Sequence, residues 1–214
     1  MERFILPTDA GDVSAAWHAA DGPALVVAHG AGAGMDHPFI AGFADALAAE
    51  GVSALRFNFP YIEKGRRSPG SPKDAIAAYT AAIGEATTRS AGRQVFGGGK
   101  SYGGRMASMA AADGVPAAGL VFLGYPLHPP GKPAQARDEH LYDLSQPMLF
   151  LQGTKDPFAQ PEALQRVLKK LGTRAPYVPF EGAGHSFERS RSDDKQANAA
   201  ALVPHAVAFV RERS

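Results

Sequence analysis

The sequence predicts an α/β fold, a mostly parallel sheet with helices on both faces, and three observations carry that expectation. Apolar and β-branched runs of strand length alternate with segments of helical length, the order that places a parallel sheet between helical layers. Most of these runs are continuously apolar, as strands buried on both faces are. Several of the intervening segments begin with proline, which the first helical turn accepts because the missing N–H would have no partner there.

From the N-terminus, Phe4–Leu6 with Val13–Trp17 reads as an antiparallel pair ahead of the parallel part. Ala24–Ala28 is the first central strand and Pro38–Glu50 the helix that follows it. Val52–Phe59 with Pro72–Arg89, and Arg93–Phe96 with Tyr102–Ala112, repeat that unit. Gly119–Leu123 leads into an irregular, proline-rich connection, Pro126–Pro147, too short for a helical lid domain. Met148–Leu151, Pro161–Leu171, the weaker strand Pro176–Phe180 and the helix Lys195–Arg213 complete the pattern. No repeat, low-complexity tract or linker divides the chain, so residues 1–214 read as a single domain.

Charge and cysteine usage narrow the function classes. Twenty-two basic residues stand against 21 acidic ones, a formal charge of +1, so no global field draws the chain to nucleic acid or an anionic membrane. Lys64, Arg66, Arg67 and Lys73 form a local basic run, read as a solvated loop. Because it follows the strand Val52–Phe59, it would lie at the ligand edge of the sheet, and an anionic substrate is the corresponding expectation. The absence of cysteine excludes disulfides and thiol nucleophiles. The opening Met1–Pro7 is too short for a secretory h-region, and no run approaches a membrane span. A cytoplasmic protein is expected.

Ligand sites of such sheets lie beyond the carboxyl ends of the strands, and the chemical candidates all follow strands. Gly99-Lys100-Ser101-Tyr102-Gly103 fits G-x-S-x-G between a strand ending near Gly97 and a small-residue helix. This is the setting of a nucleophile elbow, in which a tight turn strains the serine backbone and exposes its hydroxyl. Two nucleotide-binding patterns fail on the same glycines. A P-loop needs glycine where Gln94 stands, and a dinucleotide fingerprint over Gly30-Ala31-Gly32 meets Met35 where its third glycine belongs.

A serine hydroxyl needs a base, and the base needs an orienting acid. In chains with a nucleophile elbow the order is Ser, then Asp or Glu, then His. Asp156 follows Met148–Leu151, and His185 follows the last strand in Gly184-His185-Ser186. Each has a simpler reading as well: Asp156 as a turn or cap residue before Pro157, Ser101 as a helix N-cap, His185 as a loop histidine. The backbone N–H of Tyr102 and of Ala31, with Gly32 in reserve, are the candidate donors to a developing oxyanion. His29 reads as a structural hydrogen-bonding residue.

Together these residues resemble compact bacterial α/β-hydrolases of the dienelactone-hydrolase-like kind, within the group that includes eukaryotic NSL-complex subunit 3 and testis-expressed protein 30. The resemblance spans nearly the whole chain. It is carried by His29-Gly30-Ala31-Gly32, Arg56-Phe57-Asn58-Phe59-Pro60, Gly99-Lys100-Ser101-Tyr102-Gly103-Gly104-Arg105, Gly124-Tyr125-Pro126-Leu127-His128-Pro129-Pro130, Gly153-Thr154-Lys155-Asp156 and Gly184-His185-Ser186. It implies the fold, a Ser101–Asp156–His185 triad and hydrolase activity. Serine stands where dienelactone hydrolase proper has cysteine, which sets the lactone activity aside. Some eukaryotic members serve as complex subunits, so a binding or scaffold protein that keeps the fold is the alternative reading.

The expected reaction is hydrolysis of small acyl esters by an acyl-enzyme route that needs neither metal nor organic cofactor. The short connection after Gly119–Leu123 implies an open or shallowly covered cleft. His128, Tyr125 and Tyr61 are the residues expected to line it, although Tyr125 and Tyr61 read equally well as core aromatics.

Overall fold

A computed structural model describes residues 1–214. Its strands are β1 (Glu2–Leu6), β2 (Val13–His18), β3 (Ala24–Ala28), β4 (Ser53–Phe57), β5 (Val95–Lys100), β6 (Leu120–Leu123), β7 (Met148–Gly153) and β8 (Tyr177–Phe180). All eight form one sheet in the order β1-β2-β4-β3-β5-β6-β7-β8. The β1–β2 and β2–β4 pairings are antiparallel and the rest parallel. This is the α/β-hydrolase fold.

Seven helices cover the sheet: α1 (Pro38–Ala49), the single turn α2 (Pro60–Glu63), α3 (Pro72–Arg89), α4 (Tyr102–Ala112), α5 (Pro161–Leu171), α6 (Lys195–Ala200) and α7 (Val203–Arg211). Alternate side chains of each central strand feed two separate cores. Val26, Leu55, Phe122 and Phe150 pack with Tyr79 of α3, Met106 of α4 and Leu164 of α5. Leu25, Ala54, Val121 and Leu149 pack with Phe43 of α1, Ala199 of α6 and Val207 of α7. Both faces of the central strands β3 to β7 are buried, as continuously apolar strands are, while the edge strand β8 is partly exposed.

Three elements differ from the sequence expectation. β5 runs on to Lys100 rather than stopping near Gly97; Gly97, Gly98 and Gly99 carry no strand propensity, yet their backbones pair with β3 and β6. The last helix is broken between Ala200 and Val203, with Pro204 in the first turn of α7, since proline cannot sit in a helix interior. The third difference is an addition: the Pro126–Pro147 connection, irregular and without a lid domain as expected, holds one short 3-10 turn, Glu139–Asp143. No helix is long and apolar enough to cross a membrane.

Candidate active site

Ser101 lies directly between β5 and α4, with φ 51° and ψ −114°. A left-handed φ is costly for a residue with a Cβ. The turn is tight because α4 is pressed onto β3. A Cβ at position 103 would overlap the Ala28 backbone and stand 2.7 Å from the His29 carbonyl oxygen, so only glycine fits. Although Ser101 is the N-cap residue of α4, its side chain caps nothing. The hydroxyl lies 2.8 Å from His185 Nε2.

His185 Nδ1 is 2.6 Å from Asp156 Oδ2. A carboxylate only accepts, so Nδ1 carries the ring proton and Nε2 is left to accept from Ser101. The Asp156 side chain is fully buried and takes two further donors, the Phe158 N–H at 2.8 Å and Gln152 Nε2. Its turn-residue and histidine-orienting readings therefore hold together: one oxygen closes the turn after β7 while the other holds the imidazole. Phe158 also packs on the His185 ring, with centroids 4.3 Å apart. Burial pushes the His185 pKa down, the Asp156 hydrogen bond opposes that, and the Lys100 charge adds to the lowering.

The loop after β3 supplies the other wall. Residues 56–61 clamp it at four points. Arg56 Nη1 donates to the Met35 carbonyl (2.7 Å), and the Met35 N–H donates to Asn58 Oδ1 (2.7 Å). The Phe59 N–H donates to His29 Nε2 (3.1 Å), and the Gly32 N–H donates to the Tyr61 hydroxyl (3.2 Å). His29, buried and with Nδ1 on the Gly30 carbonyl, is a structural residue whose pKa burial lowers to about 4. The Gly32 amide is thus occupied. Ala31 lines the cavity at Ser101, as does Tyr102, whose N–H is one of those a helix start leaves without an intrahelical partner.

That cavity holds about 400 Å³, within the range of small-molecule sites. None of the three expected contacts borders it. Tyr125 is fully buried and donates its hydroxyl to the Arg137 carbonyl. His128 is fully buried, with Nδ1 on the Pro129 carbonyl and Nε2 accepting from the Gln160 N–H. Tyr61 borders a smaller cleft with Lys64 and Arg66. The basic run also lies outside the main cavity. Positive charge reaches Ser101 instead from Lys100, Arg105, Arg137 and Lys195. No group of three His, Asp or Glu side chains is arranged to hold a metal.

A family model described as an alpha/beta hydrolase domain matches residues 21–211. The chain belongs to that family. Among solved structures, this alpha/beta hydrolase is similar to a putative alpha/beta hydrolase of unknown function from Agrobacterium tumefaciens (TM-score 0.79, 15% identity, covering 99% of this chain and 96% of that one). It is similar also to a serine hydrolase without lid from Xanthomonas campestris (TM-score 0.76, 20% identity, 97% and 94%). A third is the dienelactone hydrolase from Anabaena variabilis (TM-score 0.73, 19% identity, 99% and 98%). At these identities the likeness carries the fold.

Proposed function

We propose that this protein is a serine hydrolase that cleaves small carboxylic esters, with Ser101 as nucleophile, His185 as general base and acid, and Asp156 as the group that orients and charges the imidazole. The observation that carries the reading is the unbroken line from Ser101 Oγ through His185 to Asp156, together with a serine that occupies a cap position without capping.

In the reaction, Ser101 Oγ attacks the ester carbonyl carbon while its proton passes to His185 Nε2. The carbonyl electron pair moves to oxygen, which accepts from the N–H groups of Tyr102 and Ala31. Collapse of the tetrahedral intermediate expels the alcohol, which takes the proton from His185. Water, deprotonated by the same nitrogen, then attacks the acyl-enzyme; the acid leaves and Ser101 recovers its proton. These steps call for no metal or organic cofactor. The cavity size and the lack of a lid favour short acyl groups.

Ser101→Ala should abolish hydrolysis of p-nitrophenyl acetate in a protein that stays folded, and a fluorophosphonate probe should label the wild type at Ser101. A scaffold that merely retains the fold, the reading suggested by the eukaryotic members of the resembling group, would remain unlabelled. Undiminished turnover in Ser101→Ala would overturn the assignment.

A further inference from the structure

Arg105 and Arg137 both line the cavity at Ser101 and lie close enough for the Arg105 charge to act on Arg137. Neither arginine takes part in an ion pair, and no Asp or Glu lines the cavity. Asp138, beside Arg137 in sequence, is engaged by the Tyr142 hydroxyl. Arg137 is nonetheless held in place: its N–H donates to the Leu127 carbonyl at 2.7 Å, and its carbonyl accepts from the buried Tyr125 hydroxyl at 2.9 Å. Burial and the neighbouring Arg105 charge both lower the Arg137 pKa.

A second observation points the same way. The buried side-chain polar atoms without a hydrogen-bond partner are Arg105 Nε and the Tyr102 hydroxyl. They stand one turn apart on α4, and both residues line this cavity, Tyr102 bordering the smaller cleft as well. Buried donors in folded proteins almost always have an acceptor. Arg105 Nε can only donate, so what it lacks is an acceptor.

Two like charges drawn partly out of water cost free energy unless something neutralises them. A monocarboxylate offsets one. A phosphate monoester offsets both, and its oxygens match the forked donors of arginine. The geometry points to an anion subsite, built from Arg105 and Arg137, for a substrate that carries a dianionic phosphate group in addition to its ester. This rests on the hydrolase reading for the ester, while the subsite itself can be tested without turnover.

Inorganic phosphate titrated calorimetrically into the wild-type protein at about pH 8, where it is chiefly dianionic, should bind saturably at one site. Acetate at equal ionic strength should bind at least about tenfold more weakly, and Arg105→Gln and Arg137→Gln should each weaken phosphate at least about tenfold. Arg137 lies on an irregular connection, so Arg137→Gln tests the subsite even if Arg105→Gln disturbs α4. Acetate binding as tight as phosphate overturns the two-charge assignment, and phosphate affinity unchanged in Arg137→Gln overturns the subsite. Neither result depends on Ser101, whereas failure of fluorophosphonate labelling overturns the hydrolase reading and leaves anion binding intact.

Discussion

Lys100 Nζ donates to the carbonyl oxygen of His185 at 2.7 Å, so the residue before the proposed nucleophile holds the backbone of the proposed base. It is a buried cation with no carboxylate in ion-pair contact. The groups that act on the His185 charge are Asp156 and Glu188, which raise its pKa, and Lys100, which lowers it alongside burial. In the proposed mechanism His185 must be neutral to accept the Ser101 proton, so kcat/KM should rise with pH through a midpoint below the ordinary histidine value of 6.5. Lys100 stays charged across that range. Lys100→Met should therefore move the midpoint upward, measured with a neutral ester; an unmoved midpoint would reduce Lys100 to a packing role.

The same lysine sets a stability signature. Burial lowers its pKa from 10.5 to about 8, so between those values the unfolded chain keeps a proton that the folded protein has released. More protons bound in the unfolded state means stability that rises with pH. Urea denaturation from pH 8 to 10 should show a gain of about 3 kcal/mol at most, absent in Lys100→Met. The window closes near 10 because Tyr79, Tyr102 and Tyr125 have raised pKa values and act in the opposite sense above it. A flat wild-type profile would count against the buried charge.

Ser101 carries its strain in the backbone rather than in its contacts. At φ 51° a Cβ is penalised and glycine is not. Ser101→Gly and Ser101→Ala should both lack esterase activity, yet the glycine variant should be the more stable by about 1 kcal/mol. Equal stabilities in equilibrium unfolding would mean that the turn relaxes around the side chain.

The sheet and the convergence of Ser101, Asp156 and His185 were legible because each rests on a local signal: continuous apolar runs for the strands, and short loops after strands for the three residues. What escaped were features that depend on distant partners. The glycine run of β5 pairs because neighbouring strands need it, not because glycine favours extension. Tyr125 and His128 stand near the site in sequence, but their polar atoms are consumed by Arg137, Pro129 and Gln160. Arg105 lay inside a quoted motif with nothing to mark it, since its significance is the absence of a partner. Gln152 had one available signal: a polar residue ending the apolar run Met148–Leu151 is buried, and buried amides need partners.

Those partners make Gln152 a positioning residue. Its Oε1 accepts from the Tyr125 N–H at 2.8 Å, while Nε2 donates to the Asp156 oxygen that also receives His185. The Tyr125 backbone is thereby tied to the carboxylate, with no water required between them. Gln152→Leu keeps the bulk but removes both bonds, so Asp156 loses a donor and can rotate away from the imidazole. A hydrogen bond to a charged group contributes about 1.5 to 3 kcal/mol, so kcat should fall roughly tenfold to a hundredfold. KM for a small neutral ester should stay near the wild-type value, because Gln152 does not border the cavity. Gln152→Glu sharpens the test: two facing carboxylates cannot both ionise at contact, so the pair holds a proton at neutral pH, Asp156 loses part of its charge, and kcat should fall further. A rise in KM with kcat preserved in either variant would place Gln152 in substrate binding and remove it from the support of Asp156.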